Sequence, residues 1–360
     1  MGEFVGIDPS RAHDLIRRLE AGSLLLGGVR PLVDAAVAEA GDDWAGPPPR
    51  ATALRRAQEF LHDARRELRW RIDAAEQLVP VRERGLLTAV FPFACEAEAT
   101  RAAAETATAV LAALATGRPD EVERAFAAIT GGEATNGAPG EAASATPREA
   151  VGDPAYAAAL LGALGPGGLV LVLRGWSEVE VPGERDGLPP AALVRAASAS
   201  PGLLARAFAA AERTGRLGEE WRELPATAPA DVLTTLIALA RPSGAFLNVV
   251  AVELLNRRPD AGPDWNLHHL AHAYRSFPEA LQELLAEHQK ETGVLLDAYA
   301  LGTHPAYERA LAAALRHALE PGAGADGLRE RAWSGLTGAL DAGHRLWQDL
   351  ETFREAGERV

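Results

Sequence analysis

The chain is poor in the residues that usually anchor chemistry. Cys95 is its single cysteine, so no intrachain disulfide forms and no thiolate zinc cage is available. Lys290 is the only lysine and Met1 the only methionine in 360 residues. Aromatic side chains make up 6% of the chain and alanine fills the space, a composition that favours helices. Long apolar runs are also missing. The longest, 86–94 and 169–173, fall far short of the roughly 20 residues a membrane helix needs, so the sequence is read as having no integral membrane segment. Acidic residues outnumber basic ones by 50 to 36, a formal charge of −14, which argues against nucleic acid and anionic membrane surfaces, since both demand clustered cations. The segment from Met1 to Pro9 has neither the basic nor the apolar region of a signal peptide, and Gly6 stands where a myristoylation motif wants Ser or Thr. The expectation is a leaderless chain that stays in the cytoplasm or leaves by a dedicated export machine.

What the chain does have is helical periodicity. Leu15, Leu19, Leu26, Val29, Val33, Ala36 and Ala40 recur at spacings that place them on one stripe, with Gly22 in its gap. Leu54, Ala57, Leu61, Ala64, Leu68, Ile72, Ala75 and Val79 form a second stripe. Between the two, Gly41 to Pro49 is non-helical, because glycine ends the first helix and three prolines forbid a turn before the second. Asp8 and Pro9 suit the cap and first position of the opening helix. Gly27-Gly28 lowers helix propensity by about 1 kcal/mol per glycine and marks a candidate kink. The reading is a helical hairpin with Trp44-Ala45-Gly46 at its turn, where an indole closes the open end of the seam and glycine lets the chain reverse.

A Trp-x-Gly turn between two helices of about thirty residues, each about 45 Å long, resembles the WxG family of small hairpins exported by type VII secretion. The stretch from Gly152 to Leu169, read as a capped helix, a Gly-Pro corner and a second helix, is similar to a segment of actinobacterial polymorphic toxins, in which such a hairpin heads an alanine-rich helical region. The preference for Arg over Lys fits a GC-rich genome of that kind. The resemblance implies a module that presents its hairpin to a protein partner. The chain departs from the family in one respect: the export signal, Tyr with an acidic residue four positions on, is absent, since Tyr156, Tyr274, Tyr299 and Tyr307 are followed by Leu160, Pro278, Thr303 and Leu311.

The expected organisation is all-α: a hairpin over 1–84, connecting helices over 85–130, a flexible linker over 131–150 rich in Gly, Ala, Ser, Thr and Pro, and a helical domain over 151–360. Within the last, breakers divide helices at 202–213, 230–240, 245–255, 266–275, 278–290, 306–319 and 328–353, and the pairs after Ala230 suggest a small solenoid. Residues 169–173 and 179–181 are the only extended candidates outside the apolar connector 85–93.

Chemistry-bearing motifs are few. His268 and His272 lie one turn apart on a predicted helix, the spacing that lets two imidazoles share a metal. In the His-Glu-x-x-His pattern a glutamate supplies the general base, and here His269 fills that position. His288, His304, Glu253 and Glu279 are more distant candidate ligands or bases. Gly322-Ala323-Gly324-Ala325-Asp326-Gly327 matches Gly-x-Gly-x-x-Gly, but no strand precedes it, so it reads as an interhelical linker. With no nucleophile elbow and no phosphate loop, the sequence points away from an enzyme and from any cofactor. The candidate interaction residues are Trp44 and Gly46 at the turn, Phe60 and Trp70 beside the stripe of the second helix, and Trp333 and Trp347 near the carboxy terminus, where aromatic side chains serve either as core or as interface anchors. The function expected is association, with a protein partner or with itself. The rival is a helical metal-dependent hydrolase built on His268 and His272.

Overall fold

A computed structural model describes residues 4–40, 49–78, 86–116, 118, 121, 124–125, 147–177, 200–257, 265–300, 305–320, 322–324, 326–340 and 346. The fold is all-α, as the composition and periodicity indicated, with one pair of short strands among the described residues. Two compact units divide the chain: 1–106 with 127–159, and 107–126 with 160–360.

In the first unit, helix α1 (Pro9–Ala40) starts as expected from Asp8, whose carboxylate accepts from Arg11 N at 3.2 Å while its carbonyl accepts from Ala12 N at 2.9 Å. Helix α1 runs unbroken through Gly27, Gly28 and Pro31. The kink considered at the glycine pair does not form, and α2 (Pro49–Leu78) lies alongside. The two are antiparallel: Glu20 pairs with Arg65 at 2.9 Å, Gly22 faces Leu61 and Gly27 faces Gln58. A β-carbon on Gly22 would stand 3.3 Å from Leu61 Cδ1, so the gap in the first stripe is filled by Leu61 of α2.

The strand pair is a correction to the sequence reading. Residues 85–93 read in the sequence as a short apolar connector, yet β1 (Phe4–Ile7) and β2 (Leu87–Val90) form a two-stranded antiparallel sheet with Phe4 opposite Val90 and Ile7 opposite Leu87. Four residues are too few for alternation to register in sequence. The pairing follows from the hairpin itself: antiparallel helices bring the residues before α1 and after α2 to the same end. Around that end, Trp70, Ile72, Leu87, Ala89 and Phe91 are buried, together with Ala99 and Ala103 of α3 (Glu96–Thr116).

After α4 (Pro147–Ala150), helix α5 (Pro154–Ser177) contains the foreseen Gly-Pro corner: Gly165 takes a positive φ of 64°, in the left-handed region that glycine tolerates, just before Pro166. Residues 169–173, considered as a strand, are helical. Their alternative as a continuous apolar helix buries Leu169, Val172 and Leu173.

The second unit continues with α6 (Ser200–Arg213), a short turn at Glu219–Trp221, α7 (Leu224–Thr227), α8 (Ala230–Leu239), α9 (Gly244–Asn256), α10 (Trp265–Tyr274), α11 (Pro278–Glu287), α12 (Gln289–Ala300), α13 (Pro305–Leu319) and α14 (Asp326–Ala339). The helix expected over 278–290 breaks at His288, which has φ −121° and ψ 64°. Helices two or three places apart in the chain stack on one another: α8 packs on α10, α10 on α13, and α11 on α9, α13 and α14. Helix α11 is the hub, burying Ala280, Leu281, Gln282, Leu284 and Leu285. Its crossing with α14 depends on Gly335, where a β-carbon would collide with the backbone oxygen of Leu285. That close approach is why glycine is tolerated inside a helix despite its cost in propensity.

Candidate functional site

The aromatic residues singled out from the sequence divide sharply. Trp44, Gly46 and Trp347 lie outside the described residues. Trp333 is half-buried on α14. Trp70 is fully buried, and its indole Nε1 donates to both carboxylate oxygens of Asp153, at 3.0 and 3.2 Å. The same carboxylate accepts from Ala155 N at 2.9 Å and Tyr156 N at 3.0 Å, capping α5. Trp70 also meets Phe91 at 5.7 Å between ring centres, and the Arg71 guanidinium lies 5.6 Å from the Trp70 ring. Tyr156 stacks on Phe93 at 5.4 Å and donates its hydroxyl to Thr106 at 2.8 Å. Burial pushes the Tyr156 phenol up to about 12, partly offset by the Thr106 hydrogen bond, so it stays protonated. Trp70 is therefore a core residue of the first unit and not a surface anchor.

Phe60 stands apart, with 69% of its surface exposed on α2. It is one of several. Leu24, Leu25 and Leu32 of α1 are 73%, 71% and 70% exposed, and Leu15 and Val29 are 48% and 42% exposed. Half-buried against α2 are Ile16, Leu19, Ser23, Leu26, Gly27 and Val33. The first stripe was thus drawn slightly too far round the helix: Leu15, Val29 and Ala36 sit at its exposed edge. The outward apolar face was missed altogether. Its signal was the run Leu24-Leu25-Leu26, because three consecutive residues span about 200° of a helix and cannot share one seam.

The second candidate is the histidine helix α10. Rings of His268 and His272 lie 6.4 Å apart, and those of His268 and His269 5.3 Å apart. His269 is buried, which drives its affinity for a proton down to a pKa of about 4, with the neighbouring His268 and His272 adding to the effect. His272 is exposed, yet its pKa is also lowered, by partial desolvation first and then by Arg275, His268 and Arg241. The side chain of His268 has a buried Nδ1 with no hydrogen-bond partner among the described residues. As a metal site this is a poor electrostatic environment, because the guanidinium groups near His272 repel a divalent cation. No group of three or more His, Cys, Asp or Glu side chains is placed to hold a metal among the described residues. Of the more distant residues considered, Glu253 pairs with Arg257 at 3.4 Å, and His304 lies outside the described residues.

The Gly-x-Gly-x-x-Gly match follows helix α13 and not a strand. Gly322 and Gly324 take positive φ, and the turn is held by Gln282, whose Nε2 donates to Ala318 O at 2.5 Å and Ala323 O at 2.9 Å. The glutamine amide braces this turn through its carbonyls and not through the backbone N–H groups that cradle a phosphate in a dinucleotide loop. Comparison of the chain with family models, with curated proteins and with solved structures finds no match in any of the three.

Proposed function

We propose that this chain is a non-enzymatic interaction or scaffold protein, a type VII secretion-like or polymorphic-toxin-associated module that presents its amino-terminal hairpin to a protein partner. The observation that supports this reading is the outward face of α1, where Leu24, Leu25 and Leu32 stand in water. Among the described residues α2 is the helix that packs along α1, and contiguous exposed apolar surface of this kind marks association sites. The Trp-x-Gly resemblance supports the secretion-associated part.

The test is an exchange of the face. Immobilised wild-type chain and a Leu24→Asp/Leu32→Asp variant, matched for helicity, are offered cytosol and secreted fractions of the source organism. A partner retained by the first and lost by the second supports the reading, and equal recovery on both overturns it. The alternative, a metal-dependent hydrolase, rests on His268 and His272 lying one turn apart. Elemental analysis separates the two: stoichiometric zinc, manganese or iron lost on His268→Ala and His272→Ala would favour the hydrolase.

A further inference from the structure

We propose that His268, His272, Arg275 and Arg241 together form a binding site for a phosphate group. The site lies in the second unit and is independent of the hairpin reading.

The four side chains come from two places in the fold. His268, His272 and Arg275 recur at intervals of four and three residues, so they follow one side of α10 and of the turn that closes it, where Arg275 N donates to His272 O at 3.3 Å. The rings of His268 and His272 lie 6.4 Å apart. Arg241 arrives from the connection between α8 and α9. Helix α8 packs on α10, and Arg241, two residues beyond its end, acts electrostatically on His272. That connection is itself held in place: the Glu212 carboxylate of α6 accepts from Ser243 N at 2.6 Å and from Ser243 Oγ at 2.5 Å.

The group has no counter-charge of its own. After partial desolvation, what lowers the proton affinity of His272 is Arg275, then His268 and Arg241, and no carboxylate stands among them. Among the described residues, none of the four side chains has an ion pair or a side-chain hydrogen bond. Arg241, His272 and Arg275 are exposed. His268 is half-buried with its Nδ1 turned inward, which leaves Nε2 as the nitrogen that meets solvent. A helix carboxy terminus favours a cation in its last turn, and this accounts for one of these side chains, not for a second arginine delivered by another connection. In a chain whose acids outnumber its bases by 50 to 36, bases gathered without an acid repel one another, and a bound anion relieves that repulsion.

The donor set selects phosphate over a lone carboxylate. A carboxylate presents two oxygens in one plane, which a single guanidinium satisfies. Two guanidinium groups and two imidazole N–H donors match a tetrahedral group carrying a charge of about −1.5 to −2 near neutral pH and three strong acceptor oxygens. The arginines supply the charge, and the imidazoles, neutral at that pH, each donate one hydrogen bond.

Nuclear magnetic resonance of the full chain tests the proposal near neutral pH and at matched ionic strength, with far-UV circular dichroism as a check on folding. The probes are inorganic phosphate and a phosphoserine peptide, with acetate as the control anion. The imidazole signals of His268 and His272, assigned from His268→Gln and His272→Gln, are expected to shift saturably with both phosphate probes and not with acetate. Arg241→Gln and Arg275→Gln should each raise the dissociation constant about tenfold, the loss of one charge-assisted hydrogen bond, whereas Arg331→Gln on α14 should leave it unchanged. Peptide binding at least about tenfold tighter than inorganic phosphate supports the site and identifies a phosphorylated protein side chain as the source of the group; equal affinities support it with a free phosphate compound as the source. Shifts that acetate reproduces, affinities indifferent to both Arg241→Gln and Arg275→Gln, or no shift with either phosphate probe overturn the proposal.

Discussion

Replacing Trp70 by phenylalanine isolates one hydrogen bond in the core of the first unit. The phenyl ring keeps an aromatic surface against Phe91 but removes the indole N–H that reaches both oxygens of Asp153. Asp153 is fully buried. Hydrogen bonds to a charged group contribute about 1.5–3 kcal/mol, and the smaller ring leaves a cavity costing about 1 kcal/mol more, so Trp70→Phe should destabilise by about 2.5–4 kcal/mol. Asp153→Ala removes the cap of α5, about 0.5–2 kcal/mol, and orphans the buried indole, about 1–3 kcal/mol. Asp153→Asn retains an acceptor and caps nearly as well, so it should be the mildest of the three. The double variant Trp70→Phe/Asp153→Ala should cost less than the sum of the singles, by about 1.5–3 kcal/mol, because both remove the same bond. Since a chain with two compact units need not unfold in one step, the assay is native-state hydrogen exchange at the Ala155 and Tyr156 amides, which Asp153 holds directly. A coupling below about 0.5 kcal/mol would show that the indole and the carboxylate act independently and would refute the reasoning.

Other outcomes follow from the second unit and its neighbours. Folded His269 has a pKa of about 4 against an unfolded value of 6.5, so between those values the unfolded chain binds the extra proton. Stability then rises with pH across that window, is complete above 6.5, and is lost as pH falls toward 4, by up to about 3 kcal/mol; thermal melts of wild type and His269→Leu at pH 7 and 4.5 should diverge accordingly. Gly335→Ala should destabilise by about 1–3 kcal/mol, since its methyl group meets the Leu285 carbonyl, whereas Gly338→Ala, with nothing within 4 Å, should stabilise by about 0.5–1 kcal/mol; urea titration of both gives the comparison. Tyr156→Phe removes the bond to Thr106 and should cost about 1 kcal/mol by the same measurement.

Helix type and helix ends were legible locally. Asp8-Pro9 announced the start of α1, Asp153-Pro154 the start of α5, and Gly165-Pro166 its corner, because caps and breakers act through the backbone of their immediate neighbours. The stripes of α1 and α2 were legible for the same reason, since a period near 3.6 is a property of one helix. Three things were not. The sheet of 4–7 with 87–90 joins segments some eighty residues apart, and nothing in either four-residue run names its partner. The role of Trp70 depends on Asp153, an acceptor supplied from a distant turn, so an aromatic beside a stripe could be assigned neither to core nor to surface. The requirement for glycine at 335 comes from the backbone of Leu285, which no local pattern sets against it. Periodicity tells a chain which residues must leave water; only the tertiary arrangement decides what they leave it for, and at Leu24, Leu25 and Leu32 it leaves them facing outward because α2 covers one side of α1 alone.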